Sequence, residues 1–120
     1  TIVDQSSNTG SGNRTIVRWD ESNWAIWAGN NFVDGSTDDS QNLITGLFDG
    51  ANSAIYEDES ETGTGDAGSN GIEQPNLGYN DGTSGGASWY GPYVELHVYD
   101  AGHDASTRAD VWSWIKNRTF

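Results

Sequence analysis

The run Thr15-Ile16-Val17-Arg18, the turn cluster Asp20-Glu21-Ser22-Asn23 and the run Trp24-Ala25-Ile26-Trp27-Ala28 predict two successive strands. β-Branched and aromatic residues crowd both runs, a composition that suits a pleated, packed surface. Upstream, Thr1-Ile2-Val3-Asp4 repeats the Thr-Ile-Val opening, and the Gly/Ser/Asn-rich segment from Ser6 to Asn13 between the two copies reads as the loop of a hairpin. Downstream, Gly29-Asn30-Asn31 forms a turn cluster that ends the Trp24 strand.

Beyond the strands, Leu43, Ile44, Leu47, Phe48 and Ala51 recur at spacings of three and four, which predicts a helix over Ser36 to Asn52. Ser36 or Thr37 caps it, Asp38 and Asp39 complement the positive end of its dipole, and Gly50 ends it. Ser53-Ala54-Ile55-Tyr56-Glu57 follows as a strand. Residues 58–88 are rich in Gly, Asn, Asp, Ser and Thr, with Ile72, Leu77 and Tyr79 as the only anchors, and read as one long flexible loop. From Trp89 to Tyr99, Val94, Leu96 and Val98 alternate with Tyr93, Glu95, His97 and Tyr99, the period of a half-buried strand and the expected best-packed one. A final helix runs from Asp104 to Arg118, with Asp104 or Ser106 as its cap and Val111, Trp112 and Ile115 on a narrow apolar face. The expectation is a single α+β domain over residues 1–120: a small antiparallel sheet, two helices and one long Gly-rich loop.

Composition bounds what such a domain does. Eighteen acids stand against five bases, a formal charge of −13. That argues against a nucleic-acid footprint. So many like charges repel one another at low salt, whereas molar salt shortens the screening length to about 3 Å and removes the penalty. An Asp-rich surface with a single lysine, Lys116, suits a halophile's protein; a secreted acidic protein is the other setting that fits. The absence of cysteine excludes disulfides and thiolate sites. No apolar run is long enough for a membrane span, and the first residues lack the pattern of a signal peptide, so neither a membrane nor a nucleic acid is expected as a partner.

Few constellations carry chemistry. Gly82-Thr83-Ser84-Gly85-Gly86 matches the nucleophile-elbow pattern, but it leads into a strand where an elbow follows one. His97, Asp100, His103 and Asp104 are the densest group of ligand-type side chains, and Tyr99-Asp100-Ala101-Gly102-His103 resembles the segment that carries the catalytic histidine of α/β-hydrolases. The chain has no earlier acid strand or credible nucleophile to complete a triad, so a hydrolase centred on His103 is the least favoured reading. Asp58, Glu59, Glu61 and Asp66 offer the oxygen ligands that calcium takes, without the terminal Glu of an EF-hand loop. No other cofactor is expected. Trp19, Trp24, Trp27, Trp89, Tyr90 and Tyr93 are candidates for a stacking platform under a sugar ring, with Trp24, Trp89, Tyr90 and Tyr93 foremost. Trp24 and Trp27 fall on opposite strand faces, so at least one is expected in the core, and a domain poor in aliphatics must also build its core from aromatics.

The ending Tyr93-Val94-Glu95-Leu96-His97-Val98-Tyr99-Asp100, followed after a short turn by Arg108-Ala109-Asp110-Val111-Trp112-Ser113-Trp114-Ile115, resembles the last strand and helix of neck and tail-completion proteins of tailed viruses. With the acidic composition, this resemblance implies a virion component of a haloarchaeal virus: a compact α+β subunit that forms rings without catalysis. The leading expectation is therefore a non-enzymatic, self-assembling structural subunit adapted to high salt, located in a virion or outside the cell. The alternative is a secreted carbohydrate-binding module using the Trp/Tyr platform, with calcium in the acidic loop.

Overall fold

The computed structural model describes residues 3–4, 15–19, 22–37, 43–70, 76–77 and 96–119. Among them are eight strands: β1 (Val3–Asp4), β2 (Ile16–Trp19), β3 (Trp24–Trp27), β4 (Val33–Asp34), β5 (Ile44–Leu47), β6 (Ser53–Glu57), β7 (Ser60–Gly65) and β8 (Asn76–Leu77). One α-helix, α1, spans Ala105–Thr119. The strands form two antiparallel sheets, one ordered β4-β3-β2-β1-β8 and the other β5-β6-β7. The architecture is α+β.

The expected hairpin forms, with Val3 opposite Val17, and β3 pairs along β2 with Ile26 opposite Val17. Trp24, Ile26 and Val33 from the first sheet meet Ile55 from the second, with Ala67 between them, and Val17, Trp19, Ile44 and Phe48 close around this cluster. Ile26 and Ile55 lose all contact with water, each contributing on the order of 2 kcal/mol of hydrophobic stabilisation. Trp19 packs edge-on against Trp24 at 5.5 Å between ring centroids, a preferred aromatic geometry.

The predicted helix over Ser36 to Asn52 is not found among its described residues: Ile44 and Leu47 belong to β5 instead, with Leu47 opposite Ala54 and Ile44 opposite Glu57. Ile44, Thr45 and Gly46 are poor helix formers, and a strand partner lies only a few residues away. Gly46 also lets the two sheets approach, because a Cβ there would come within 3.1 Å of Ile26 Cγ2. Gly50, expected to stop a helix, opens a single 3-10 turn at Gly50–Asn52 with φ of +54°. Asp38 and Asp39, the expected first-turn acids, lie outside the described residues.

The segment read as one long loop holds β7 and β8. Asp58 and Glu59 take φ of 47° and 69°, the left-handed pair that a two-residue type I′ hairpin requires. The chain therefore turns straight back from Glu57 to Ser60. Leu77, one of the loop's expected anchors, pairs with Val3 and adds β8 to the first sheet. The strand expected to end at Tyr99 is corrected as well: residues 96–99 are not in a strand, and Leu96, Val98 and Tyr99 are 39%, 50% and 48% exposed. The His97 ring between them meets Trp114 of α1, and the earlier part of that expected strand, residues 89–95, lies outside the described residues.

Helix α1 follows its sequence signals. The Asp104 carboxylate accepts from the Thr107 N–H at 2.8 Å and from the Ser106 hydroxyl at 3.0 Å, capping the first turn. Lys116 and Arg118 occupy the last turn, where cations complement the negative end of the dipole. The helix covers the side of β5 and β6 that faces away from the core: Arg108 lies 4.2 Å above the Tyr56 ring, and Thr45, Tyr56 and Trp112 line a cleft of about 190 Å³ between helix and sheet.

Candidate docking surface

Ring systems link residues 97–103 to the outer side of α1. His103 and Tyr99 stand 4.4 Å apart between centroids, Tyr99 and His97 are stacked at 6.5 Å, and His97 meets the edge of Trp114 at 5.4 Å. The Arg118 guanidinium lies over Trp114 at 3.8 Å. The result is one continuous stripe of four rings closed by a cation. Trp114 is 50% exposed although it sits in the middle of a helix, because the helix buries a single side chain, Ile115, fully. With Leu96, Val98 and Tyr99 alongside, the stripe is the largest concentration of exposed apolar side chains among the described residues.

Charge is distributed unevenly between this stripe and the rest of the chain. Residues 96–119 carry three acids and three bases, whereas residues 1–95 carry fifteen acids and two bases. Asp34, Asp49, Asp58, Glu59, Glu61 and Asp66 are all exposed on the sheet body. A near-neutral C-terminal segment is thus joined to a strongly negative body.

The other expected sites fare differently. Trp24 is 6% exposed and belongs to the core, so it offers no face to a sugar, while Trp89, Tyr90 and Tyr93 lie outside the described residues. The Gly82–Gly86 match lies outside them too. The four acids of the expected calcium loop are dispersed: Asp58 and Glu59 form the hairpin turn, Glu61 lies on β7, and Asp66 follows its far end. Along the six residues of β7, the two ends stand roughly 20 Å apart. Asp58 accepts from the Leu43 N–H at 3.0 Å. Among the described residues, no three His, Asp or Glu side chains gather in a way that would hold a metal ion, and this includes His97, Asp100, His103 and Asp104. Asp104 is committed to the helix cap; the Thr107 backbone N–H, aided by the Thr107 and Ser106 side chains, holds its pKa below the ordinary value.

Two features escaped the sequence reading. Glu57 is 6% exposed, and its carboxylate accepts from the Ser36 N–H at 2.7 Å, the Ser36 hydroxyl and the Thr62 hydroxyl at 2.8 Å. These bonds tie the segment after β4 to β6 and β7, and the role is structural. An acid at the end of an apolar strand was the only signal for it.

The second feature is the joint between the sheets. Residues 66–70, after β7, lie along residues 28–31, after β3: Ala28 N–H donates to Ala67 O at 2.6 Å, Asn31 N–H to Asp66 O at 3.1 Å, and Asn70 N–H to Ala28 O at 3.0 Å. Gly50 N–H reaches Gly68 O at 3.2 Å. Gly68 has φ of +100°, and a Cβ there would run into the Ala28 carbonyl, so only glycine permits this approach. The three braced loops surround a polar cleft of about 400 Å³.

The chain matches no family model, no curated protein and no solved structure at a significant level.

Proposed function

We propose that this protein is a non-enzymatic assembly subunit adapted to high salt, a structural component of a particle such as a virion neck or tail, and that it docks through the ring stripe of α1 onto the acidic body of a second copy. The observation that carries this reading is the exposure of Trp114, Tyr99, Val98 and Leu96 beside Arg118. Contiguous apolar surface of this kind marks interaction sites, and tryptophan, tyrosine and arginine dominate binding hot spots. Cations cover the faces of both helix tryptophans, Lys116 over Trp112 at 4.4 Å and Arg118 over Trp114. Faces covered in this way suit a protein partner carrying carboxylates better than a sugar ring.

Salt decides when the stripe is used. A body of charge −13 repels its copies at low ionic strength, and molar salt screens that repulsion while leaving short-range aromatic contacts in place. Sedimentation velocity and far-UV circular dichroism, followed together from low to molar KCl, test the reading. The sedimenting mass is expected to rise with salt in the parent protein, whereas Trp114→Ala keeps the same dichroism and remains a monomer. A parent that is folded and monomeric in molar KCl, or a Trp114→Ala variant that assembles equally well, would overturn the assignment.

A further inference from the structure

The geometry points to a second binding site, independent of the ring stripe: the polar cleft at the sheet joint takes a neutral saccharide or similar polyol ring. The cleft lies where three loops converge, the one after β3 (Ala28, Gly29, Asn30), the 3-10 turn (Gly50, Ala51) and the one after β7 (Asp66, Gly68, Ser69, Asn70). It is an open, shallow depression of about 400 Å³ with a mainly polar lining.

The lining narrows the ligand class. Among the described lining residues none is a lysine or arginine, and the chain carries −13, which disfavours an anion. Both oxygens of Asp66 already accept N–H donors, Oδ2 from Asn30 Nδ2 at 2.6 Å and Oδ1 from Gly68 N at 3.1 Å. Among the described residues, no three His, Asp or Glu side chains gather to hold a metal ion. An apolar ligand would strand the polar groups of Asn30, Asp66, Ser69 and Asn70 without water. Hydroxyl groups, which donate and accept at once, match this mixture of carboxylate, amide, hydroxyl and main chain.

Trp27, the last residue of β3, anchors the loop that carries Asn30: its indole N–H donates to Asn30 O at 3.0 Å. The cleft is also preorganised: its loops are held by the backbone bonds across the joint and by the left-handed backbone of Gly29, Gly50 and Gly68. Little ordering is left to oppose binding.

Amide NMR spectra recorded with a panel of neutral methyl glycosides, and separately with CaCl2, test the site. At least one glycoside is expected to shift the signals of Gly29, Asn30, Gly68, Ser69 and Asn70 saturably, with millimolar affinity. Ser69→Trp, a change at an exposed lining position, fills the cleft and is expected to weaken that binding about tenfold or more. Asp66→Asn, which keeps the shape but alters the acceptors, checks the site if Ser69→Trp fails to fold. Trp114→Ala retains the binding, which separates this site from the docking stripe. A panel that shifts none of these signals, binding that persists in the cleft-filled variant, or CaCl2 alone reproducing the shifts would overturn the proposal.

Discussion

Trp24 and Trp114 are the same side chain put to opposite uses. Trp24 is 6% exposed, lies on a strand with neighbours on both sides, and meets Trp19, Ile26 and Val33 in the core. Trp114 is 50% exposed on a helix of whose described side chains Ile115 alone is buried. The sheet body places its apolar groups and its one described buried carboxylate inside, and binds them with hydrogen bonds across strands. The C-terminal region leaves rings, aliphatic side chains and cations on its surface. In this molecule burial is decided by the element available to cover a residue, and hydrophobicity alone does not settle it; the uncovered region is where function is to be sought.

The widest expected gap between the two regions is in unfolding. Ile55→Ala removes a side chain with no exposed surface and is expected to cost about 3 to 4 kcal/mol. Trp114→Ala should cost under about 0.5 kcal/mol, as surface changes usually do. Urea unfolding in molar KCl measures both, and equal losses would break the contrast between core and stripe.

A smaller effect sharpens the account of the sheet body. Glu57→Ala removes the buried acceptor shared by the Ser36 N–H and the Ser36 and Thr62 hydroxyls, with an expected cost of about 2 to 3 kcal/mol. The same unfolding measurement on Glu61→Ala, at an exposed position on β7, should give almost no change.

The smallest effect falls in the C-terminal region and depends on pH. The folded pKa of Asp104 is depressed, first by the Thr107 backbone N–H. Its stabilising contribution is therefore fully present above the ordinary value of 3.8 and is lost as pH falls through the lowered folded value. The helical dichroism of α1 should decline in that acid window, and Asp104→Ala should start lower and lack that part of the decline. A parent and a variant that titrate identically would show that the cap does not govern the first turn.

Short-range signals proved legible. The β1–β2 hairpin, β3 with its Gly29 turn, β6 from Ser53 to Glu57 and α1 with its Asp104 cap are all written in adjacent residues. The misread regions share another property. Leu43, Ile44, Leu47 and Phe48 have a helical spacing, but β6 captures Ile44 to Leu47 as a strand. Ser60–Gly65 has almost no apolar character, and becomes a strand because the Asp58-Glu59 turn folds it back onto β6. Leu96 to Tyr99 alternates as a strand should, yet no described strand pairs with it. Of the candidate sites, the sequence pointed to aromatic residues as the binding chemistry but named Trp24, which is buried, and passed over Trp114 and the joint cleft.

The residues alone determined an acidic, cysteine-free α+β chain, its early hairpin, its C-terminal helix and its net charge of −13. These follow from composition and from contacts between near neighbours, whose energies do not depend on the rest of the fold. Only the tertiary structure decided which apolar residues are covered, where Glu57 finds its partners, and how residues 28–31 and 66–70 meet to form a cleft. Each of those outcomes depends on segments distant in sequence competing for the same surface, and that competition is resolved only when the whole chain packs.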